Sequence, residues 1–143
     1  MPHISREQLL TCLEEDWRNY PVRFLRLGAA AQKEFLQIQG YETFGGLLGH
    51  ITAWWQEGVS SIQKIRREPD VKFADYDVDA FNARAVKKWA GINEGEGIQR
   101  FETQRKTMLE LINTLADAEL DLKRINERLF LEIIEHWEEH KLD

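Results

Sequence analysis

The segment His136-Trp137-Glu138-Glu139-His140 sets two imidazoles four residues apart. Residues at that spacing share one face of an α-helix, and histidine is the commonest metal ligand among side chains. The pair continues an apolar stripe through Leu129 and Ile133, which turns it inward. It is not the zinc-protease pattern His-Glu-x-x-His, because Trp137 stands where the glutamate would be. His50 is a third candidate, on another apolar stripe between Leu47 and Trp54. One inward histidine reads as a hydrogen-bonded core residue. Three are harder to bury, since each brings two ring nitrogens that need partners. A shared divalent metal ion would satisfy one nitrogen of each.

Three neutral protein ligands leave coordination positions open, the pattern of a catalytic rather than a structural site. Water or a polarised substrate atom could take such a position. Glu57, Glu132, Glu135 and Glu139 are the acidic neighbours that could act as base, Glu57 two turns beyond His50. Taken singly, each reads rather as a solvated surface charge. Arg105 falls between Phe101 and Met108: either an anion-binding group, or an edge arginine whose stem covers apolar surface while its head reaches water. Trp54, Trp55, Trp89 and Trp137 fit a pocket wall or simply the core. Cys12, the only cysteine, lies among Leu9, Leu10 and Leu13 and reads as a half-buried thiol.

The elements that must position these groups are helices. Ser5-Arg6-Glu7-Gln8 predicts a capping box, followed by a stripe of Leu10, Leu13, Trp17, Tyr20, Phe24 and Leu27. Pro21 lies inside that stripe without breaking its phase, which predicts a kinked helix or two nearly collinear ones. Gly28 ends it, and a short helical segment spans 29–39. A second long helix is predicted over 43–67, with Leu47, His50, Trp54, Gly58, Ser61 or Ile62, and Ile65 inward, ending before Pro69. Residues 68–95 form a long connection in which Asp79 caps a short helix through Trp89. Two further helices follow, over about 96–116 and 120–141, the last with Leu122, Ile125, Leu129, Ile133, His136 and His140 inward. The fold class is therefore all-α, a four-helix bundle within one domain of 143 residues.

Topology decides whether the histidines can meet. Short connections make helices one and two, and three and four, antiparallel neighbours. The connection at 68–95 is long enough to cross the bundle, giving an up-down-down-up order. The start of helix two and the end of helix four then share one end, with His50 roughly 10 Å below it at about 1.5 Å per residue. In an up-down-up-down order the histidines would be roughly 20 Å or more apart.

The net charge of −6, from 25 acidic and 19 basic side chains, opposes binding to phosphate backbones, so no nucleic-acid partner is expected. Lys64-Ile65-Arg66-Arg67 is the nearest basic patch, and it reads as a helix end with cations at its negative pole. No apolar run resembles a signal peptide or a membrane span. The expectation is a cytoplasmic protein with no membrane partner.

Leu47-Leu48-Gly49-His50-Ile51-Thr52-Ala53-Trp54-Trp55 resembles the LLxHxxxW stretch opening helix two of the DinB-like family, and His136-Trp137-Glu138-Glu139-His140 resembles its closing H-x-x-x-H. Asp79-Ala80-Phe81-Asn82-Ala83-Arg84 looks like an asparagine-bearing segment of relatives that include the ClbS/DfsB group. The resemblance implies a left-handed up-down-down-up bundle, often a homodimer, in which His50, His136 and His140 hold nickel, zinc or a similar ion. It implies a hydrolase or thiol-dependent transferase acting on a small molecule, with a low-molecular-weight thiol as a possible cosubstrate. Asn82 would line the pocket or make a turn contact within its short helix. A metal-free ClbS-like hydrolase and a non-catalytic ligand or metal binder are the alternatives.

Overall fold

The computed structural model describes residues 3–142, and every regular element among them is helical. Ser5 caps α1 (Arg6–Thr11) by the reciprocal bonds that its sequence predicts. A wide π turn, Cys12–Trp17, leads into α2 (Arg18–Leu25). Pro21 has no N–H to give the carbonyl of Trp17, and the wide turn ends at that residue, so helix continues through the proline. Leu9, Leu13, Trp17, Tyr20 and Phe24 are buried. Leu9 replaces the expected Leu10, because the wide turn carries more residues per revolution than the assumed α period.

Gly28 precedes α3 (Ala29–Gln39), which stops at Gly40 in the left-handed region with φ 83°. Thr43 caps α4 (Phe44–Arg67), its Oγ1 accepting from Gly46 N at 2.9 Å. The fully buried indole of α4 is Trp55, while Trp54, expected inward, is only half-buried. The basic end of α4 matches the helix-end reading, with Arg66 paired to Glu119 at 2.8 Å. In the following connection α5 (Val78–Trp89) is capped by Asp77, which accepts from Ala80 N at 3.1 Å. Asp79, the expected cap, sits in the first turn instead. α5 lies so close to α4 that a Cβ on Gly49 would stand 2.5 Å from Trp89 Cγ.

Asn93 caps α6 (Glu94–Thr114). Arg105 on α6 fits neither expectation: it is buried, pairs with Glu102 and donates to the Leu13 carbonyl at 3.2 Å. The remaining elements are α7 (Asp117–Leu120), α8 (Lys123–Leu129), a second π turn (Phe130–Glu135) and α9 (His136–His140). Leu122 caps α8 and is 41% exposed, so it is not an inward position.

Trp17 is the centre of the core, edge-on to Tyr20, Trp55 and Trp137. The two π turns meet there. Carbonyls of the second accept from side chains of other elements: Ile133 O from Trp17 Nε1 at 2.9 Å and Cys12 Sγ at 3.6 Å, Glu132 O from Trp55 Nε1 at 2.7 Å. Wide turns loosen the helical ladder, and buried indole N–H groups need acceptors. Each supplies what the other lacks. Among the described residues no helix is long and apolar enough to cross a membrane.

Candidate metal centre

His50 stands near the start of α4, and His136 and His140 lie on α9 directly after the second π turn. One nitrogen of each ring lies within 4.8 Å of one nitrogen of both others. The three histidines lie close together and could hold a metal ion.

The hydrogen bonds around them decide which nitrogen is available. His136 Nδ1 is 3.1 Å from the Glu132 carbonyl, which can only accept. His50 Nδ1 is 3.1 Å from Asn82 Oδ1, and that atom also takes the Trp54 indole N–H at 2.7 Å. An indole nitrogen only donates, so the Asn82 atom is its oxygen. His140 Nδ1 is 2.6 Å from Gln39 Oε1, while Gln39 Nε2 donates to the Glu139 carbonyl at 3.1 Å. All three Nδ1 atoms therefore carry the proton, and all three Nε2 atoms present bare lone pairs. No two of these can bond to each other. His140 Nε2 is buried with no hydrogen-bond partner, a state that costs about 1–3 kcal/mol.

A divalent cation answers that arrangement. Zn–N bonds of about 2.0–2.1 Å put tetrahedral ligand atoms roughly 3.4 Å apart, inside the 4.8 Å within which one nitrogen of each ring lies. Outer hydrogen bonds to Nδ1 are the usual support for ligating histidines. Burial pushes His136 down to about 4 and His140 down to about 3, with the neighbouring rings adding to it. His50 is lowered by burial, against the Asn82 hydrogen bond. The imidazoles are thus neutral at physiological pH, the form that ligates.

A cleft of about 380 Å³ opens beside His50 and His136, with Trp54, Tyr76 and Leu131 in its walls. The carboxylates separate here. Glu132 is 3% exposed, accepts from Arg128 Nε at 2.8 Å, and has Oε1 3.4 Å from His136 Nδ1. Burial raises its carboxyl to about 7 despite Arg128. Gly58 makes room for it, since a Cβ there would meet Glu132 Cγ and Oε2 at 3.0 Å. Glu135 and Glu139 line the same cleft. Glu57 does not: it lines a neighbouring hollow and accepts from Tyr76 Oη at 3.1 Å. Asn82 lines the cleft and holds His50 and Trp54 together.

Two participants escaped the sequence reading. Gln39 carried no signal, because its partner is 101 positions away. Arg128 did carry one: Arg128, Glu132, His136 and His140 form a ladder at intervals of four along one helical face. Arg128 Nη1 donates to Tyr76 Oη at 3.0 Å, tying the crossover to this ladder. Cys12 is buried against Ile133, and burial followed by Asp16 pushes its thiol up, which keeps it from acting as a nucleophile. Comparison with protein-family models, with curated proteins and with solved structures finds no match to this chain.

Proposed function

We propose that the chain is a metal-dependent enzyme of the DinB-like type, a hydrolase or thiol-dependent transferase that acts on a small molecule in the cleft beside His50, His136 and His140. The observation that carries this reading is the convergence of three histidine rings, one nitrogen of each within 4.8 Å of the others, whose Nδ1 hydrogen bonds leave Nε2 free to ligate. A bound ion, nickel or zinc, would supply a Lewis acid with open coordination positions. Trp54 and Tyr76, edge-to-face at 5.2 Å, give the cleft an aromatic wall. Asn82 orients His50, and Glu132, with its carboxyl near neutrality, holds or gives up a proton at Oε1. Glu57 acts at one remove, through Tyr76.

Residues 6–25, 44–67, 94–114 and 123–140 are the four helices of an up-down-down-up bundle in this reading, with 68–93 as the crossover. The meeting of His50 with His136 and His140 supports that order. The protein is cytoplasmic and homodimeric, and apolar Val22, Leu25 and Ile38, exposed on α2 and α3, are side chains a dimer contact would cover. A second reading has one observation in its favour. The Glu132–His136 contact at 3.4 Å is an acid–base pair that a metal-free, ClbS-like hydrolase could use.

Elemental analysis of protein purified without chelator or affinity metal separates the two. About one nickel or zinc per chain is expected, with sharp loss in His50→Ala, His136→Ala and His140→Ala and none in His3→Ala, whose ring pairs with Asp121 instead. Equal metal content in the wild type and the triple alanine variant would refute the metal site.

A further inference from the structure

A second hollow, of about 290 Å³, lies where the end of α5 meets α4 and α6, and no histidine lines it. Gln104 is its most deeply buried polar residue. It is 8% exposed, and its amide makes no hydrogen bond to any described residue. Neither amide atom is sealed off, so what surface the residue keeps includes its polar end. A primary amide offers two donors and two acceptor lone pairs, and buried polar groups ordinarily have partners. Here the whole capacity faces the hollow. Gln56 from α4, Lys88 from the last turn of α5, and Gln99 and Thr103 from α6 complete the polar lining. Among the described residues none of these four side chains has a hydrogen-bond or ion-pair partner. Arg100 and Glu96 also line the hollow, bound to each other at 3.0 Å, and offset one another. Lys88 is left as the net charge of the lining.

We propose that this hollow binds a small phosphorylated sugar or polyol, with its hydroxyl groups on the Gln104 amide and its phosphate at Lys88. An amide and a threonine hydroxyl both give and take hydrogen bonds, and so does each hydroxyl of a sugar. Lysine binds phosphate as a point charge. Arg100 gives one nitrogen to Glu96 and keeps further N–H groups. An aromatic ligand has no ring face to stack on, because Trp89, the one aromatic residue of the lining, is 5% exposed. A cationic ligand meets Lys88 with no free carboxylate to offset it.

Calorimetric titration of the full chain at fixed ionic strength tests it, with glucose 6-phosphate, glucose and inorganic phosphate as probes. Glucose 6-phosphate should bind about tenfold more tightly than either of the others. In Gln104→Met, which keeps the side chain's length and removes its amide, that affinity should fall to the level of inorganic phosphate. In Lys88→Gln it should fall to the level of glucose. Thermal unfolding checks that both variants are folded, and Lys88→Gln, an exposed substitution, decides the matter alone if the buried one is not. The triple alanine variant of His50, His136 and His140 should bind glucose 6-phosphate as the wild type does, which keeps this site apart from the metal centre. No binding of glucose 6-phosphate, or an affinity unchanged in Lys88→Gln or in folded Gln104→Met, would overturn the proposal. Inorganic phosphate binding as tightly as the sugar phosphate would mean an adventitious ion only, and loss of binding in the triple alanine variant would move the ligand to the histidine cleft; either result overturns it too.

Discussion

Gly49→Ala tests the packing that positions the site. A Cβ at Gly49 meets Trp89 Cγ at 2.5 Å, Cδ2 at 2.6 Å and Cβ at 2.9 Å. Carbon atoms in ordinary contact lie about 3.5–4.0 Å apart, so the overlap is roughly 1 Å. Swinging the Trp89 ring cannot relieve it, because the side chain's own Cβ is among the clashing atoms. α5 must move away from α4. Overpacking of this kind costs about 1–3 kcal/mol, against a gain of roughly 0.5–1 kcal/mol for alanine over glycine inside a helix. The difference spans about 0–2.5 kcal/mol, and a clash that no ring swing relieves puts it in the upper part, about 1–2.5 kcal/mol or roughly 2–10 °C in melting temperature. Gly91→Ala is the control, since nothing lies within 4 Å of its added Cβ; it should be near neutral. α5 also carries Asn82, so the Gly49 variant should lose metal affinity as well as stability. Thermal unfolding of the two variants side by side decides the matter. A Gly49→Ala protein as stable as Gly91→Ala would refute the close approach of the two helices.

Gln39→Leu removes the acceptor that fixes His140, and metal affinity should fall about 10- to 100-fold while Gln39→Glu restores it; competition titration with a chromophoric chelator gives the result. Metal-free protein should lose stability as pH falls below about 6.5. The unfolded chain takes up protons there that His136 and His140 refuse until about 4 and 3, which removes about 2 kcal/mol per group at pH 5. Glu132, raised to about 7, works in the opposite direction between pH 7 and 4.5. Urea unfolding should therefore be compared with His136→Gln/His140→Gln, and an unchanged pH dependence in that variant would count against the burial of the rings. Cys12 should resist a thiol reagent in the native protein and react at once in urea, and rapid native labelling would contradict its burial.

The histidine face was legible because spacing by four survives most local error. Thr43, Ser5 and Pro69 fixed their helix ends through chemistry local to the sequence. What failed was choice within a face. α4 packs on α5, α6 and α8, so its buried band is wider than one stripe, and Trp54 and Trp55 both fit the period. Leu9 against Leu10 depended on a wide turn that no propensity announces. Asp77 and Asp79 are both good caps, and only the fold of 68–77 picks the first. Arg105 looked like an edge residue because the Leu13 carbonyl that receives it is 92 positions away. Glu57 shared the period of His50, yet Tyr76 stands between it and the cleft.

The second π turn has a consequence for where the ligands aim. A helix is a screw, and one residue more or less in a turn rotates everything beyond it by about 100°. His136 and His140 follow that turn directly, so their heading depends on where along the chain the extra residue lodges. The Glu132 and Ile133 carbonyls are gripped by the indoles of Trp55 and Trp17, which hold the wide turn in place. Neither tryptophan is among the ligands, yet together they act as a set screw. If the turn slipped by one position, α9 would stay helical while both imidazoles swung off the axis that His50 shares with them.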